Sequence, residues 1–512
     1  MAVIIYHQNN KVVEVNFKGK SIEFSSKSIA FNLFQIAEKY PDDLIIWCHS
    51  DLKSNLNQSK FQDIFHHSKI MASYNALDCA FLPNTIGYVD ETLFLNVKKD
   101  ISYPTWLMNS DVGGIHASVL NFLKHKIQKD NSFDYFLHSM AKLAMLGGLL
   151  CYSEPELILN FSGSGLNSKK SNFLTFRFVK QHYKTRWVFL LFLNIVLYEG
   201  KFPLLPLLIS LGFRKRTLDE DLLDGIEVQS TRKVINKKTI DVIIPTIGRR
   251  EYLYDVLKDL SKQTHQPENV IIVEQNPDVN SKSELDYLKD EIWPFIIKHT
   301  FTHKTGACNA RNLALAQVTS EWVFLNDDDN RFEADLIEKT FENIKQYGCL
   351  AALTFYPVAG QKLIERKTSQ SSFFGSGNSF IKASALNKVK FNTSLEFGYG
   401  EDAEFGLQLR KIGYDVIYFP HLIINHLRAP MGGFRTKPVL AWKDEKIQPK
   451  PSPTIMFLKL NNFTLKQVMG YKTVLFIKFY KVQPIKNPIK YLYIFRAQWN
   501  ASVLWAEQLR KK

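Results

Sequence analysis

The chain has 512 residues, 45% hydrophobic and 13% aromatic, and a net charge of +15. That length exceeds one ordinary domain and predicts two or three, and the apolar content excludes a long disordered or fibrous chain. Five scattered cysteines (Cys48, Cys79, Cys151, Cys308, Cys349) have no metal-ligand spacing, which fits buried thiols in a reducing compartment rather than a disulfide framework.

The start Met-Ala-Val-Ile-Ile-Tyr-His-Gln8 has neither the basic opening nor the small-residue cleavage site of a secretory signal, so a cytoplasmic location is expected. Residues 1–165 show strand and helix patterning and read as a smaller α/β domain. An apolar segment and linker follow over 166–238. Its apolar run, Trp187 to Tyr198, has Arg186 before it and Arg214-Lys215-Arg216 after it. It is too short to span a bilayer, which takes roughly 20 residues, and reads as a buried core helix or an interfacial segment. Thr231 to Lys238 is polar and basic and reads as the linker.

From Ile240 onward strands and helices alternate. Asp241–Pro245, Asn269–Glu274, Trp322–Leu325 and Leu350–Val358 are apolar strand runs; Glu251–Lys262, Asn309–Ala316 and Glu333–Tyr347 have helical spacing. Alternation of this kind predicts an α/β domain with a largely parallel sheet over 239–440. Ligands of such sheets sit at the carboxyl ends of the strands, where Thr246, Glu274 and Asp327 to Asp329 fall.

Parts of the N-terminal domain parallel this one. Leu44–Asp51 lies where Trp322–Asp329 would, Ile115–Asn121 parallels Ile381–Asn387, and Tyr152–Asn160 parallels Tyr418–Asn425 with one residue inserted. Three parallels in one order predict a degenerate partial duplication whose first copy lacks the acidic triplet. Residues 441–512 form a basic aromatic region: Lys443 to Lys512 holds fourteen Lys/Arg against three Asp/Glu. Such a helical tail suits an anionic membrane surface or nucleic acid, and a solvated basic helical face is the alternative.

The chemistry concentrates in four places. Three consecutive aspartates repel one another unless a hard divalent cation takes their oxygens, so Asp327-Asp328-Asp329 is either a metal site or an acidic turn. Gly306 leads into a helix with Arg311 one turn in, a suitable phosphate or base contact. Glycines deliver Glu401-Asp402 to a helix start, where an ionised aspartate caps the helix or takes a proton from an attacking hydroxyl. His426 ends a strand before a loop rich in glycine and arginine that reaches Arg435, a pattern suited to a lid over phosphates; the histidine is a packing residue or a metal ligand.

In order, Ile-Ile-Pro245-Thr246, Val-Ile-Ile-Val-Glu274, Gly306 to Asn312, Phe-Leu-Asn-Asp-Asp-Asp329, Gly375-Ser-Gly-Asn378 and Gly-Glu401-Asp402 resemble the inverting family-2 glycosyltransferases with the GT-A fold, across residues 240–435. The resemblance implies a nucleotide-diphosphate sugar donor, with a UDP-sugar expected, and Mn²⁺ or Mg²⁺ on Asp327 and Asp329, with His426 as a candidate third ligand. It further implies donor contacts from Pro245, Thr246, Glu274, Arg311, Asp327, Asp328 and Arg435. Asp402, with Glu401 beside it, matches the catalytic base. Glu274-Gln275 departs from the aspartate usual in the family, and Asn326 stands where aspartate is common. A glycan or lipid-linked glycan is the implied acceptor, reached at the inner face of the membrane. The rival reading is a non-catalytic glycan-binding or scaffold protein of a polysaccharide assembly complex.

Overall fold

The computed structural model describes residues 1–77, 81–159, 171–358, 361, 367–429 and 439–511. The chain divides into two compact units, Met1–Arg232 with Asn462–Val482, and Lys233–Asn461 with Gln483–Lys512.

The first unit runs β1 (Ala2–Gln8), β2 (Lys11–Phe17), β3 (Lys20–Ser21), α1 (Ile29–Lys39), β4 (Leu44–His49), α2 (Phe61–Ile64), β5 (Ile70–Tyr74), β6 (Tyr103–Pro104), β7 (Val112–His116), α3 (Ala117–Leu123), α4 (Phe133–Ala144), β8 (Leu150–Ser153), α5 (Asn172–His182), α6 (Arg186–Glu199) and α7 (Leu204–Leu211). Its eight-stranded sheet has the order β3-β2-β1-β4-β7-β5-β8-β6. Central β4 is buried from Leu44 to Cys48, as an uninterrupted apolar run demands of a strand covered on both faces. The run around Trp187 is helical in α6. Val188, Leu191 and Ile195 are buried there, while Phe189, Leu193 and Leu197 are exposed.

The second unit runs β9 (Ile240–Thr246), α8 (Arg250–Ser261), β10 (Asn269–Gln275), α9 (Tyr287–Asp290), β11 (Ile296–Thr302), α10 (Ala307–Leu315), β12 (Trp322–Asn326), β13 (Asn330–Arg331), α11 (Leu336–Tyr347), β14 (Ala351–Phe355), β15 (Ser369–Gln370), β16 (Asn378–Lys382), α12 (Glu401–Lys411), β17 (Val416–Ile423), β18 (Asn425–His426) and α13 (Pro453–Asn462). The sheet order is β11-β10-β9-β12-β16-β14-β17-β15, and β13 pairs with β18 in a separate two-stranded ladder. Strands β11, β10, β9 and β12 are parallel. The sequence pattern missed β11, which is only half-buried, and β16, which enters antiparallel between β12 and β14. The sheet is therefore mixed. Ile243, Ile271, Val323 and Leu325 from its centre pack with Ala310 and Ala314 of α10 and Phe405 and Leu409 of α12. The expected linker is tied down at its end: the Glu321 carboxylate accepts the amides of Asn236, Lys237 and Lys238.

From β1 and β9 onward the two sheets have the same strand order. The registers also correspond. Leu44 opposes His116 as Trp322 opposes Lys382, both antiparallel. Ile70 opposes Leu150 as Ala351 opposes Val416, both parallel. The next strand differs, since β2 is antiparallel to β1 whereas β10 is parallel to β9. The C-terminal region is helical, with α13 followed by α14 (Leu465–Val482) and α15 (Pro488–Arg510). It is divided between the units: α14 belongs to the first, and α13 and α15 to the second.

Candidate active site

A cavity of about 200 Å³ opens at the carboxyl ends of β9 and β12. Pro245, Thr246, Arg249, Gln275, Gly306, Arg311, Asp327, Asp328, Asp329, Phe397 and His426 are among the residues that line it. A larger hollow of about 550 Å³ lies at the opposite ends of the strands, against Thr239, Asn269, Thr319 and Glu321. There the buried Asp241 carboxylate already accepts from Asn269, Thr319 and Ser320. The charged groups of the smaller cavity make it the candidate site.

Two arginines pair with the triplet. Thr246 Oγ1 donates to Asp328 Oδ2 at 2.7 Å, and Arg249 Nη1 donates to Asp328 Oδ1 at 2.5 Å while lying 3.1 Å from Asp329 Oδ2. Burial pushes the Asp328 carboxyl up to about 6 against the pull of Arg249 and Thr246. For Asp329 burial acts in the same sense, but the His426 ring, the Ala429 amide and Arg249 outweigh it and hold the carboxyl below its ordinary value. Asp327 accepts from Arg311 Nη2 at 2.9 Å and from the Tyr356 hydroxyl at 3.2 Å. The same hydroxyl lies 2.7 Å from Asn330 Oδ1, so its one proton is shared between the two oxygens.

His426 reaches the triplet through the β13–β18 ladder, where it opposes Asn330. Its Nε2 lies 3.5 Å from Asp329 Oδ1, and its ring stacks on Tyr356 at 4.6 Å between centroids. Among the described residues, no three His, Cys, Asp or Glu side chains converge as a ready metal cluster. The donor set still suits a hard cation in kind, with carboxylate oxygens and one imidazole.

Two expected contacts are placed differently, and a third is not among the described residues. Glu274 does not line the cavity. It is buried against His299 Nε2 at 2.9 Å, the Ser283 hydroxyl at 2.6 Å and the Glu284 amide. Burial would raise its pKa, but those partners outweigh it and lower it. The next residue, Gln275, faces the cavity instead, and its Oε1 accepts the Gly306 amide at 2.7 Å. The first turn of α10 is also occupied: Glu396 accepts the amides of Cys308 and Asn309 at 3.0 and 2.9 Å, so these N–H groups are already capped by a carboxylate. Arg435 lies outside the described residues.

Asp402 and Glu401 open α12 behind this cavity without lining it. The Ser376 hydroxyl donates to Asp402 Oδ1 at 2.5 Å. Burial raises the Asp402 pKa, with Arg311 and Ser376 opposing. Burial and the neighbouring Asp402 raise that of Glu401. The structure thus gathers Pro245, Thr246, Arg311, the triplet and His426 around one space. It adds Arg249, Gln275 and Phe397, and Tyr356 at the triplet, none of which the motifs singled out. Arg249 had a positional signal, as it follows the end of β9; Tyr356 had none.

Residues 241–401 match the family described as Glycosyl transferase family 2. They form a family-2 glycosyltransferase domain. Its mixed sheet, with the acidic triplet at the end of β12, has the GT-A, Rossmann-like arrangement. The chain is 28% identical over 127 residues to a putative teichuronic acid biosynthesis glycosyltransferase, TuaG, of Bacillus subtilis, covering 24% of this chain and 49% of that one. It is 28% identical over 156 residues to the GalNAc(5)-diNAcBac-PP-undecaprenol β-1,3-glucosyltransferase of Campylobacter jejuni, covering 30% of this chain and 47% of that one. The chain thus spans about half the length of these curated relatives. Among solved structures, S. aureus TarS 1-349 in complex with UDP-GlcNAc superposes with a TM-score of 0.36 at 16% identity, over 46% of this chain and 70% of that one. The family-2 match begins at β9 and ends at the first residue of α12.

Proposed function

We propose that this chain is an inverting glycosyltransferase that moves a sugar from a nucleotide-diphosphate donor, a UDP-sugar, to a hydroxyl of a glycan or lipid-linked glycan. The observation that carries the reading is the convergence of Arg249, Arg311 and Asp327 to Asp329 on one cavity at the carboxyl ends of β9 and β12. A site with cations beside carboxylates is suited to a diphosphate and its counter-ion. Thr246, Pro245 and Gln275 border the nucleoside in this reading. The engagement of Glu274 with His299 makes it a support for that wall rather than a base contact.

Mn²⁺ or Mg²⁺ would be held by Asp329, Asp327 and His426, and when bound supplies positive charge for the diphosphate. Asp402 accepts the proton of the acceptor hydroxyl, whose oxygen bonds to the anomeric carbon as the bond to the diphosphate breaks. A base works best when its pKa is near the working pH, and burial moves Asp402 in that direction. The charge of Asp402 in turn helps burial to raise the pKa of Glu401. The relatives, a putative teichuronic acid biosynthesis glycosyltransferase and an undecaprenol-linked glucosyltransferase, favour a lipid-linked acceptor at a membrane. The cationic surplus of residues 443–512 fits the same location.

The strand order and registers support reading the first unit as a degenerate copy of the second. His49 and Asp51 then stand where Asp327 and Asp329 do.

Transfer from nucleotide sugars in the presence of Mn²⁺ tests the proposal. Asp402→Asn and Asp329→Ala are each expected to lower kcat by about 10²-fold or more. Near-normal transfer by both variants would overturn the assignment. Glycan binding without any turnover by the native chain would favour the scaffold reading.

A further inference from the structure

We propose that the α6–α7 hairpin of the first unit inserts into one leaflet of an anionic membrane. Both helices are apolar on two faces. Val188, Leu191 and Ile195 of α6, with Pro206 and Leu207 of α7, are buried in the unit. The opposite faces are also apolar and open to solvent. Phe189, Leu193 and Leu197 recur every fourth residue along α6, with exposures of 51%, 37% and 58%. On α7, Leu205, Leu208 and Ile209 are 60%, 55% and 50% exposed, and Phe202 in the turn between the helices is 69% exposed. A helix apolar all round belongs inside a protein or a lipid phase, and a contiguous exposed patch of this kind marks an interaction surface.

Charge selects the partner. Exposed Lys184 and Arg186 precede the patch, Lys201 sits in its turn, and exposed Arg214 and Lys215 follow it. The only acidic residue between Lys184 and Lys215 is Glu199, and Lys466 and Lys201 neutralise it at 2.6 and 3.3 Å. Aliphatic and Phe side chains bracketed by cations match acyl chains under anionic headgroups. The exposed faces carry few hydrogen-bonding side chains, as acyl chains require of the surface they cover.

Length sets the depth. Helix α6 has 14 residues and α7 has 8, or about 21 and 12 Å at 1.5 Å per residue. Both are shorter than the roughly 30 Å hydrocarbon core. Among the described residues no helix is long and apolar enough to cross a membrane. The hairpin therefore lies in the interface rather than spanning the bilayer. The inference deepens the lipid-linked reading above, but vesicle binding is measured without sugar transfer, so either can fail alone.

Flotation of the full chain with phosphatidylglycerol/phosphatidylethanolamine vesicles and with pure phosphatidylcholine vesicles tests it. The native chain is expected to float with the anionic vesicles. Leu205→Glu combined with Leu208→Glu should weaken that binding at least about tenfold, and Arg214→Glu combined with Lys215→Glu should remove the preference for anionic lipid. These side chains are exposed, so circular dichroism and thermal melting should match the native chain. Unchanged binding by the leucine variant, or no binding by the native chain to either vesicle, would overturn the proposal. So would a native dimer that the leucine variant converts to monomer without lipid, which would give the surface to a second copy. Loss of binding through Leu492→Glu with Tyr493→Glu alone would move the contact to α15 and likewise sink it.

Discussion

Asp327 is fixed from three directions. Arg311 and Tyr356 donate to its two oxygens, and Gly377 leaves open the space beside Oδ2 that any Cβ would occupy. Asn330 closes the arrangement by donating to Asn326 and to the Gly377 carbonyl. Gly377→Ala should therefore displace the carboxylate without disturbing the core. Since a misplacement of about 1 Å at a reacting centre costs on the order of 10²-fold, transfer is expected to fall by 10- to 100-fold, about the range for such a shift, with an unchanged circular dichroism spectrum. Full activity in this variant would remove Asp327 from the working site. The triplet and Arg311 were legible as residues, because acidic and basic groups gathered at strand and helix ends need a reason. Their pairing was not, because Tyr356 and Arg249 reach them from the loops that follow other strands.

At the scale of elements, α10 shows how a loop far along the chain completes a helix. Its first turn carries no acidic residue of its own, and Glu396, more than eighty positions later, accepts two of its amides. Gly306, the N-cap at φ +143°, packs against that carboxylate so closely that an added Cβ would overlap it. Glu396→Ala leaves two donors without their acceptor and should cost about 1–2 kcal/mol. Thermal melting measures this loss, and Glu396→Gln should recover part of it; an unchanged melting temperature in Glu396→Ala would contradict the capping role. The two-residue strand β18 is a second such case. Its pairing with β13 places His426 beside Asp329, although strands that short leave no periodic signal.

At the scale of the whole molecule, the first unit holds several histidines that burial keeps neutral. His7, His66 and His138 are lowered to about 4, and His182 to about 2, burial being the largest cause in each. A histidine whose folded pKa lies below its unfolded value near 6.5 contributes stability that is complete above that value. The contribution is lost as pH falls toward the folded pKa, because the unfolded chain binds the extra proton. A shift from 6.5 to about 4 corresponds to about 3 kcal/mol for one such group. The first unit should therefore loosen between pH 6.5 and 4, ahead of the second, whose His265 and His421 are lowered less. Limited proteolysis across that range should cleave within residues 1–232 first. Earlier cleavage within 233–461 would contradict the account.

The sequence by itself determined the α/β character of the second unit, since β9, β10 and β12 are apolar runs buried whatever surrounds them. It also determined that carboxylates and arginines cluster at the strand ends, because those groups must be adjacent in chain to a strand or helix terminus to be read at all. Only tertiary structure decided which of them share a cavity. It turned Glu274 to His299 and brought Gln275 to the opening, a choice made by alternation along one strand and by the partners β11 supplies. It placed antiparallel β16 between β12 and β14, a pairing between segments more than fifty residues apart. And it left the outer faces of α6 and α7 uncovered. An apolar helix reads the same in sequence whether protein or lipid covers it, and only the packed fold shows which side has no protein partner.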